Sequence, residues 1–218
     1  MAGLLITLEG IDSCGKTTQA RKLASYLRKR GYGVLLTREP GGDRIAEKVR
    51  RILLSKTNSE MTDLTELLLY QASRSQLTER TIRPALRAGR VVICDRYSDS
   101  SLAYQGYGRG LSKIVIKQLN RIASLGIVPD LTILIDVPVR TSLERKRKEK
   151  TGRDRLEKER FEFHRRIGEG FLAIARQNRR RIKVVDGRED IERTWRKVRK
   201  VVDAFLGKSD STRKRPRR

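Results

Sequence analysis

The chain has 218 residues, 37% hydrophobic and 35% charged, with 51 Lys and Arg against 26 Asp and Glu, a net charge of +25. That length supports one domain whose core needs neither disulfides nor a structural metal, and the composition excludes a disordered or fibrous chain. Only two cysteines, no N-terminal signal segment and no apolar run approaching ~18 residues argue against a disulfide framework and a membrane span, so a cytoplasmic protein is expected. The positive excess suits anionic substrates, but most of it reads as the charged surface common in heat-adapted proteins.

Leu4, Leu5, Ile6 and Leu8 read as a buried strand, and Ala20, Leu23, Ala24 and Leu27 recur at the spacing of a helix over 19–30. Between them runs Gly10-Ile11-Asp12-Ser13-Cys14-Gly15-Lys16-Thr17, followed by Thr18: Gly, four residues, Gly-Lys-Thr. Strand, Gly-rich turn and helix together aim consecutive backbone N–H groups and a helix N-terminus at phosphate oxygens. Lys16 is expected to reach the β- and γ-phosphates of a nucleoside triphosphate and the Thr17 hydroxyl to ligate Mg²⁺.

Val34 to Thr37 reads as a second strand running into a loop, Arg38-Glu39-Pro40-Gly41-Gly42. Asp43 is placed to cap a helix with Ile45, Val49, Ile52 and Leu53 on one face. A longer helix follows over 61–86, carrying Leu64, Leu67, Leu68, Ala72, Leu77 and Ile82, with Pro84 expected to kink or end it. Val91 to Cys94 is a third strand, closed by Asp95-Arg96-Tyr97, and 98–110 reads as a loop too polar for a core. A helix over 111–125 and a strand over 131–137 come next. The stretch 140–166 is so charged that any helix there must largely face solvent, with a break near Thr151-Gly152. Phe161, Phe163, Ile167, Phe171, Leu172 and Ile174 supply a return helix, 182–185 a fifth strand, and 191–205 a last helix. The basic stretch at the end of the chain is expected to be disordered.

Apolar strands alternating with helices specify a three-layer α/β fold, a five-stranded parallel sheet with helices on both faces. Ligands of such sheets bind at the carboxyl ends of strands, so the loops 10–17, 38–42 and 95–110 should meet at one edge. Asp95, ending a strand beside the phosphate loop, is a candidate Mg²⁺ carboxylate. Arg38, Arg50, Arg74 and Arg96 are candidates for a second phosphate group.

Four motifs in order, Gly10-Ile11-Asp12, Thr37-Arg38-Glu39-Pro40-Gly41-Gly42, Asp95-Arg96-Tyr97 and Ser101-Leu102-Ala103-Tyr104-Gln105-Gly106, with Tyr70-Gln71-Ala72-Ser73-Arg74 between, resemble thymidylate kinase from Leu4 to about Phe205. The resemblance implies a P-loop kinase domain over 1–206 with a lid at about 140–160, a basic tail over 207–218, and transfer of the γ-phosphoryl of ATP to dTMP with Mg²⁺. It makes Tyr70 the ring stacked on thymine and Arg74, one turn on, the base's hydrogen-bonding partner. Arg50 and Arg96 would hold the dTMP phosphate, Tyr104 would exclude a 2′-hydroxyl, and Ser101 and Gln105 would contact base and sugar edges. Asp12 would lie near the acceptor phosphate and 3′-hydroxyl. The family's homodimer is expected by resemblance alone.

Some members of that family carry an arginine inside the phosphate loop, where this chain has Ser13 and Cys14. The resemblance therefore points to the bacterial type, with a lid arginine closing over ATP: Arg153, or a neighbour among Arg147, Lys150 and Arg155. Two alternatives stand beside this reading: a kinase for dUMP or other deoxynucleoside monophosphates, and a nucleic-acid-stimulated ATPase. The spread of basic residues through the chain, with no nucleic-acid module, argues against a specific nucleic-acid partner.

Overall fold

A buried strand, β1 (Leu4–Glu9), lies at the centre of the molecule. It is flanked in a parallel sheet of order β2-β3-β1-β4-β5 by β2 (Val34–Arg38), β3 (Val91–Asp95), β4 (Leu131–Asp136) and β5 (Ile182–Asp186). The computed structural model describes residues 3–148, 154–157 and 159–213. Alternation along β1 divides the core. Leu4, Ile6 and Leu8 join a cluster with Leu23 and Leu27 of α1 (Lys16–Lys29), while Leu5 joins Leu77, Ile82, Val92, Cys94 and Tyr97.

Register sets the functional edge. Leu8 pairs with Asp95 and Asp95 with Arg38, so β1, β3 and β2 end level and deliver their three loops side by side. Asp43 caps α2 (Arg44–Leu54) as expected, its carboxylate accepting from the Ile45 N–H. Ala46 and Leu53 form the buried face of α2, whereas Ile45 and Ile52 are exposed.

Several expectations need correction. The long helix is interrupted ahead of Pro84: α3 (Asp63–Leu77) passes into a π segment, Thr78–Ile82, and Pro84 sits in the first turn of α4 (Arg83–Arg87), where its missing N–H is tolerated. The inward face of α3 is also partly polar, with Glu66, Gln71, Ser73 and Arg74 buried and Leu64, Leu68 and Ala72 exposed.

The stretch 98–110 is mostly buried and helical. α5 (Ser98–Ser101) runs into a second π segment, Leu102–Gly108, and Asp99, Ser101, Ala103, Tyr104, Gln105, Gly106 and Gly108 are all buried. Its polar side chains enter the interior because each finds a charged or hydroxyl partner or lines a pocket. Gly108 and Gly170 permit the close packing of this segment on α8 (Phe161–Gln177): a Cβ on Gly108 would lie 2.8 Å from the Phe163 ring.

α6 (Lys113–Ala123) packs on α3, and α7 (Val139–Lys148) follows β4. α9 (Ile191–Arg213) packs on α1 and runs past the boundary at 206, because Gly207 alone costs about 1 kcal/mol in a helix and no proline intervenes before Pro216. The expected break at Thr151-Gly152 and the last five positions of the tail lie outside the described residues.

Candidate active site

The turn after β1 needs unusual backbone at Gly10 (φ 140), Ser13 (φ 51) and Gly15 (φ 97). At Gly10 a Cβ would lie 2.5 Å from the Ile135 carbonyl oxygen, so only glycine lets the loop pass β4. Ile11 and Cys14 are buried beneath the loop, and Thr17 and Thr18 open α1 on its exposed side. Lys16 is buried and its Nζ donates to the Ile11 carbonyl at 2.6 Å. Thr17 Oγ1 donates to Asp95 Oδ2 at 2.5 Å, bringing both candidate metal ligands together beside the loop. A cleft of about 950 Å³ covers this ground, lined by the loop, Arg38, Arg50, Asp95, Arg96 and the 187–192 turn.

A second, narrower pocket of about 80 Å³ adjoins it, lined by Tyr70, Ser101, Tyr104, Gln105, Leu54 and Leu156. Asp12, Glu39, Arg50, Arg96 and Asp154 belong to both linings.

At the junction, Arg96 adopts φ 69 and spreads its guanidinium across four acceptors. Nη1 donates to the Gly10 carbonyl (2.9 Å) and Ser100 Oγ (3.2 Å), and Nη2 to Asp12 Oδ1 (2.5 Å) and the Tyr104 hydroxyl (2.9 Å). Tyr104 in turn donates to Asp12 Oδ2 at 2.8 Å, closing a ring of three side chains from three elements. Burial opposes ionisation of Asp12, but the charges of Arg96 and Lys16 and the Tyr104 hydroxyl outweigh it and lower the carboxyl to about 2. Burial and the Asp12 charge hold the Tyr104 hydroxyl protonated, although Arg96 acts the other way.

Arg38 and Arg50 both line the larger cleft, and Arg50 the smaller pocket as well. Arg38 pairs with Glu47 at 2.8 Å and Arg50 donates to the Pro40 carbonyl at 2.9 Å. Burial and the like charge of Arg38 lower the Arg50 pKa, the condition in which an added anion is welcome. Tyr70 is half-buried on the pocket wall, and burial beside Glu66 raises its phenol. Ser101 Oγ is buried on the same wall without a hydrogen-bond partner among the described residues.

Arg74 lies deeper than the residues above. It is 1% exposed, lines neither cleft, and makes four hydrogen bonds within the protein besides its ion pair with Glu39. Nε and Nη2 meet Glu39 Oε2 at 2.9 and 2.7 Å, Nη1 meets Gln71 and Asn120, and Nη2 also meets the Tyr97 carbonyl. Arg74 holds Glu39, whose Oε1 is buried and unpartnered among the described residues.

Gln105 lines the smaller pocket and its Nε2 donates to Glu66 Oε1 at 2.9 Å. Glu66, fully buried, also accepts from Arg109 and from Arg155 at 2.5 Å. Arg155, which donates further to the Leu53 carbonyl, is therefore an anchor at the foot of the expected lid. Arg147 is exposed on α7, and Lys150 and Arg153 lie outside the described residues. Residue-type reasoning missed Arg145, whose Nη2 donates to the Gly187 and Arg188 carbonyls and ties α7 to the turn after β5. It also missed Asp154, which lines both clefts. Only its place beside the Arg-rich stretch signalled either one.

A central parallel strand, a glycine turn bearing a lysine and threonine at a helix start, and an adjoining pocket ringed by arginines define a phosphate-loop nucleotide kinase. Comparison narrows the class. The family model "Thymidylate kinase" matches residues 8–198. A thymidylate kinase of Thermoanaerobacter sp. (strain X514) is 44% identical over 206 residues, covering 94% of this chain and all of that protein. One from Geobacter sulfurreducens is 48% identical over 197 residues, 88% of this chain and 92% of its own. The crystal structure of thymidylate kinase from Ehrlichia chaffeensis superposes with a TM-score of 0.76 at 35% identity, covering 93% of this chain and 100% of that one. The chain belongs to the thymidylate kinase family: it is an enzyme that phosphorylates dTMP, with ATP as donor.

Proposed function

We propose that ATP lies over Gly10–Thr18 in the larger cleft and dTMP in the smaller one, so that donor and acceptor phosphates meet between Lys16, Asp12 and Arg96. The observation that carries this reading is the shared lining: the two clefts join at Asp12, Arg50 and Arg96, which is where an in-line transfer needs positive charge. Tyr70 flanks the thymine ring, Ser101 and the free end of Gln105 face its polar edge, and Arg38 and Arg50 gather the acceptor phosphate. Tyr104, fixed by Asp12 and Arg96, fills the space a 2′-hydroxyl would need.

The acceptor phosphate is ionised at neutral pH, since its second pKa is about 6, so no strong general base is required. The protein's part is alignment and charge neutralisation, by the N–H groups of the loop, Lys16 and Arg96. Asp12, anionic at working pH, keeps Arg96 and Tyr104 aimed and accepts from the acceptor's 3′-hydroxyl. Thr17 and Asp95 fit Mg²⁺, a hard cation that takes one or two protein oxygens and completes its shell with phosphates and water. When bound there, Mg²⁺ would neutralise charge on the β- and γ-phosphates. Arg153 or a neighbour in the 140–160 lid supplies the remaining positive charge.

Exposed Leu64 and Leu68 on α3, and Ile114 and Ile122 on α6, which packs against it, support a homodimer joined through these helices. The reading places the enzyme in the cytoplasm without a specific nucleic-acid partner. No described helix is long and apolar enough to cross a membrane.

ADP release from ATP and Mg²⁺ tests the assignment with dTMP, dUMP, the ribose analogue of dTMP, dGMP or no acceptor. Turnover should be greatest with dTMP and weak with the ribose analogue. Equal turnover without acceptor would remove the two-cleft reading, and equal use of dUMP would remove the role of the base wall. A 5-methyl contact in an apolar pocket is worth about 1–3 kcal/mol.

A further inference from the structure

Glu9 closes β1, is 1% exposed and takes no part in the chemistry described above. Both its oxygens are engaged: Oε1 accepts from the Tyr97 backbone N–H at 2.8 Å and Oε2 from the Ser100 hydroxyl at 2.5 Å. These two partners bracket the behaviour of Arg96. Tyr97 is the next residue along a chain that turns through φ 69 at Arg96, a conformation that residues with a Cβ adopt only where neighbours hold it. Ser100 Oγ receives Arg96 Nη1 at 3.2 Å, and the same Nη1 reaches the carbonyl of Gly10, the residue after Glu9. The Arg96 N–H donates to Leu8, the residue before it. The end of β1 thus grips Arg96 by its backbone and by its guanidinium.

We propose that Glu9 is a positioning residue for phosphoryl transfer: it fixes the turn at Arg96 and, through Ser100, the direction in which the guanidinium meets the acceptor phosphate. The proposal rests on the reading of Arg96 as a contact to that phosphate. Glu9 has no ion pair among the described residues; its partners are a backbone N–H and a hydroxyl, and both lead to one arginine of the site.

The surroundings add a pH signature. Glu9 faces Asp99, whose own partner is Arg181, and lies near Arg96, Arg74 and the Cys94 thiol. Burial first, and Asp99 second, push its carboxyl up to about 8 against the Ser100 and Tyr97 hydrogen bonds and the Arg96 charge. As the acid, Glu9 can donate to Ser100; as the carboxylate it accepts from Ser100. In both forms Ser100 Oγ can still receive Arg96. Ionisation, however, sets a second anion beside the Arg96–Asp12 pair and weakens the pull of Arg96 on a phosphate dianion. KM for dTMP should therefore rise through pH 8, where the dTMP phosphate, with its second pKa near ~6, no longer titrates.

The experiment compares wild type, Glu9→Gln and Glu9→Ala by kcat, by KM for dTMP and for ATP from pH 7 to 9.5, and by thermal melting. The expected result is that Glu9→Ala raises KM for dTMP at least about tenfold while KM for ATP stays within about twofold. Glu9→Gln, which keeps an oxygen for Tyr97, should recover most of that loss and flatten the rise through pH 8. Parallel changes in both KM values, or a Glu9→Ala enzyme with unchanged KM for dTMP, would overturn the proposal. If Glu9→Ala does not fold, Glu9→Gln decides: a wild-type-like rise in KM would overturn the proposal, and a flat profile would support it. Absence of dTMP-dependent turnover in the wild type would instead remove the underlying reading of the site.

Discussion

Thr17 Oγ1 and Asp95 Oδ2, 2.5 Å apart, join the first turn of α1 to the last residue of β3. Because β1 and β3 end in register, this bond spans the floor of the larger cleft. Asp95→Asn keeps an acceptor for Thr17 and removes the charge. It should lower kcat about a hundredfold and raise the Mg²⁺ concentration giving half-maximal turnover, with little change in melting temperature. A steady-state Mg²⁺ titration of wild type and variant is the check, and an unchanged midpoint would exclude Asp95 from the metal site.

Arg74 is buried in an ion pair with Glu39. Its substitution by Met leaves Glu39 buried without its ion pair and removes acceptable donors from Gln71, Asn120 and the Tyr97 carbonyl. Breaking one side of a buried pair typically costs about 3–5 kcal/mol. Urea unfolding of Arg74→Met should show a loss of that order. A base contact alone would raise KM for dTMP and leave the unfolding midpoint where it was.

Two neighbouring arginines should separate in the same way. Arg155 is locked to Glu66 and to the Leu53 carbonyl, so Arg155→Ala should destabilise the fold by about 3 kcal/mol or more. On the proposal that Arg153 closes over ATP, Arg153→Ala should reduce kcat at least about tenfold with an unchanged unfolding midpoint. The pair of denaturation curves and turnover numbers distinguishes anchor from lid.

Asp12 sets a pH limit. Its carboxyl titrates at about 2 in the folded chain against 3.8 for the free side chain. A depressed folded value means that the contribution is fully present above about pH 4 and is lost as pH falls through 2, amounting to about 2 kcal/mol. Unfolding free energies of wild type and Asp12→Asn, measured from pH 5 to 2, should converge over that interval. Parallel curves would show that Asp12 carries no such linkage.

Much of this was legible in the sequence because it is written in local pattern. Apolar runs such as Leu4–Leu8 and Val91–Cys94 could only be buried parallel strands, and the spacing from Gly10 to Thr17 fixed the phosphate loop at the sheet edge. What escaped depends on partners distant in the chain. Glu66 is buried because Arg109 and Arg155 reach it across 43 and 89 positions, and no property of α3 alone announces that. The resemblance made Arg74 a base-contacting arginine, and spacing places it one turn from Tyr70. Spacing does not reveal that Glu39, 35 positions earlier, already fills its fork. The segment 98–110 looked too polar for a core because hydropathy counts side chains singly, whereas Asp99 enters bound to Arg181, and Gln105 bound to Glu66.

The π segment at Leu102–Gly108 also bears on how this gene can vary. Tyr104 and Gln105 both lie within it and reach their partners from a widened turn, and Tyr104 rests edge-on against Phe163 and Phe171 of α8. Deleting one residue there would be compatible with ordinary helix, yet would rotate everything beyond it by about 100°. Conservative replacements in this stretch should therefore be tolerated far more readily than a single-codon deletion. Length here is the stricter structural requirement, spelling the looser one.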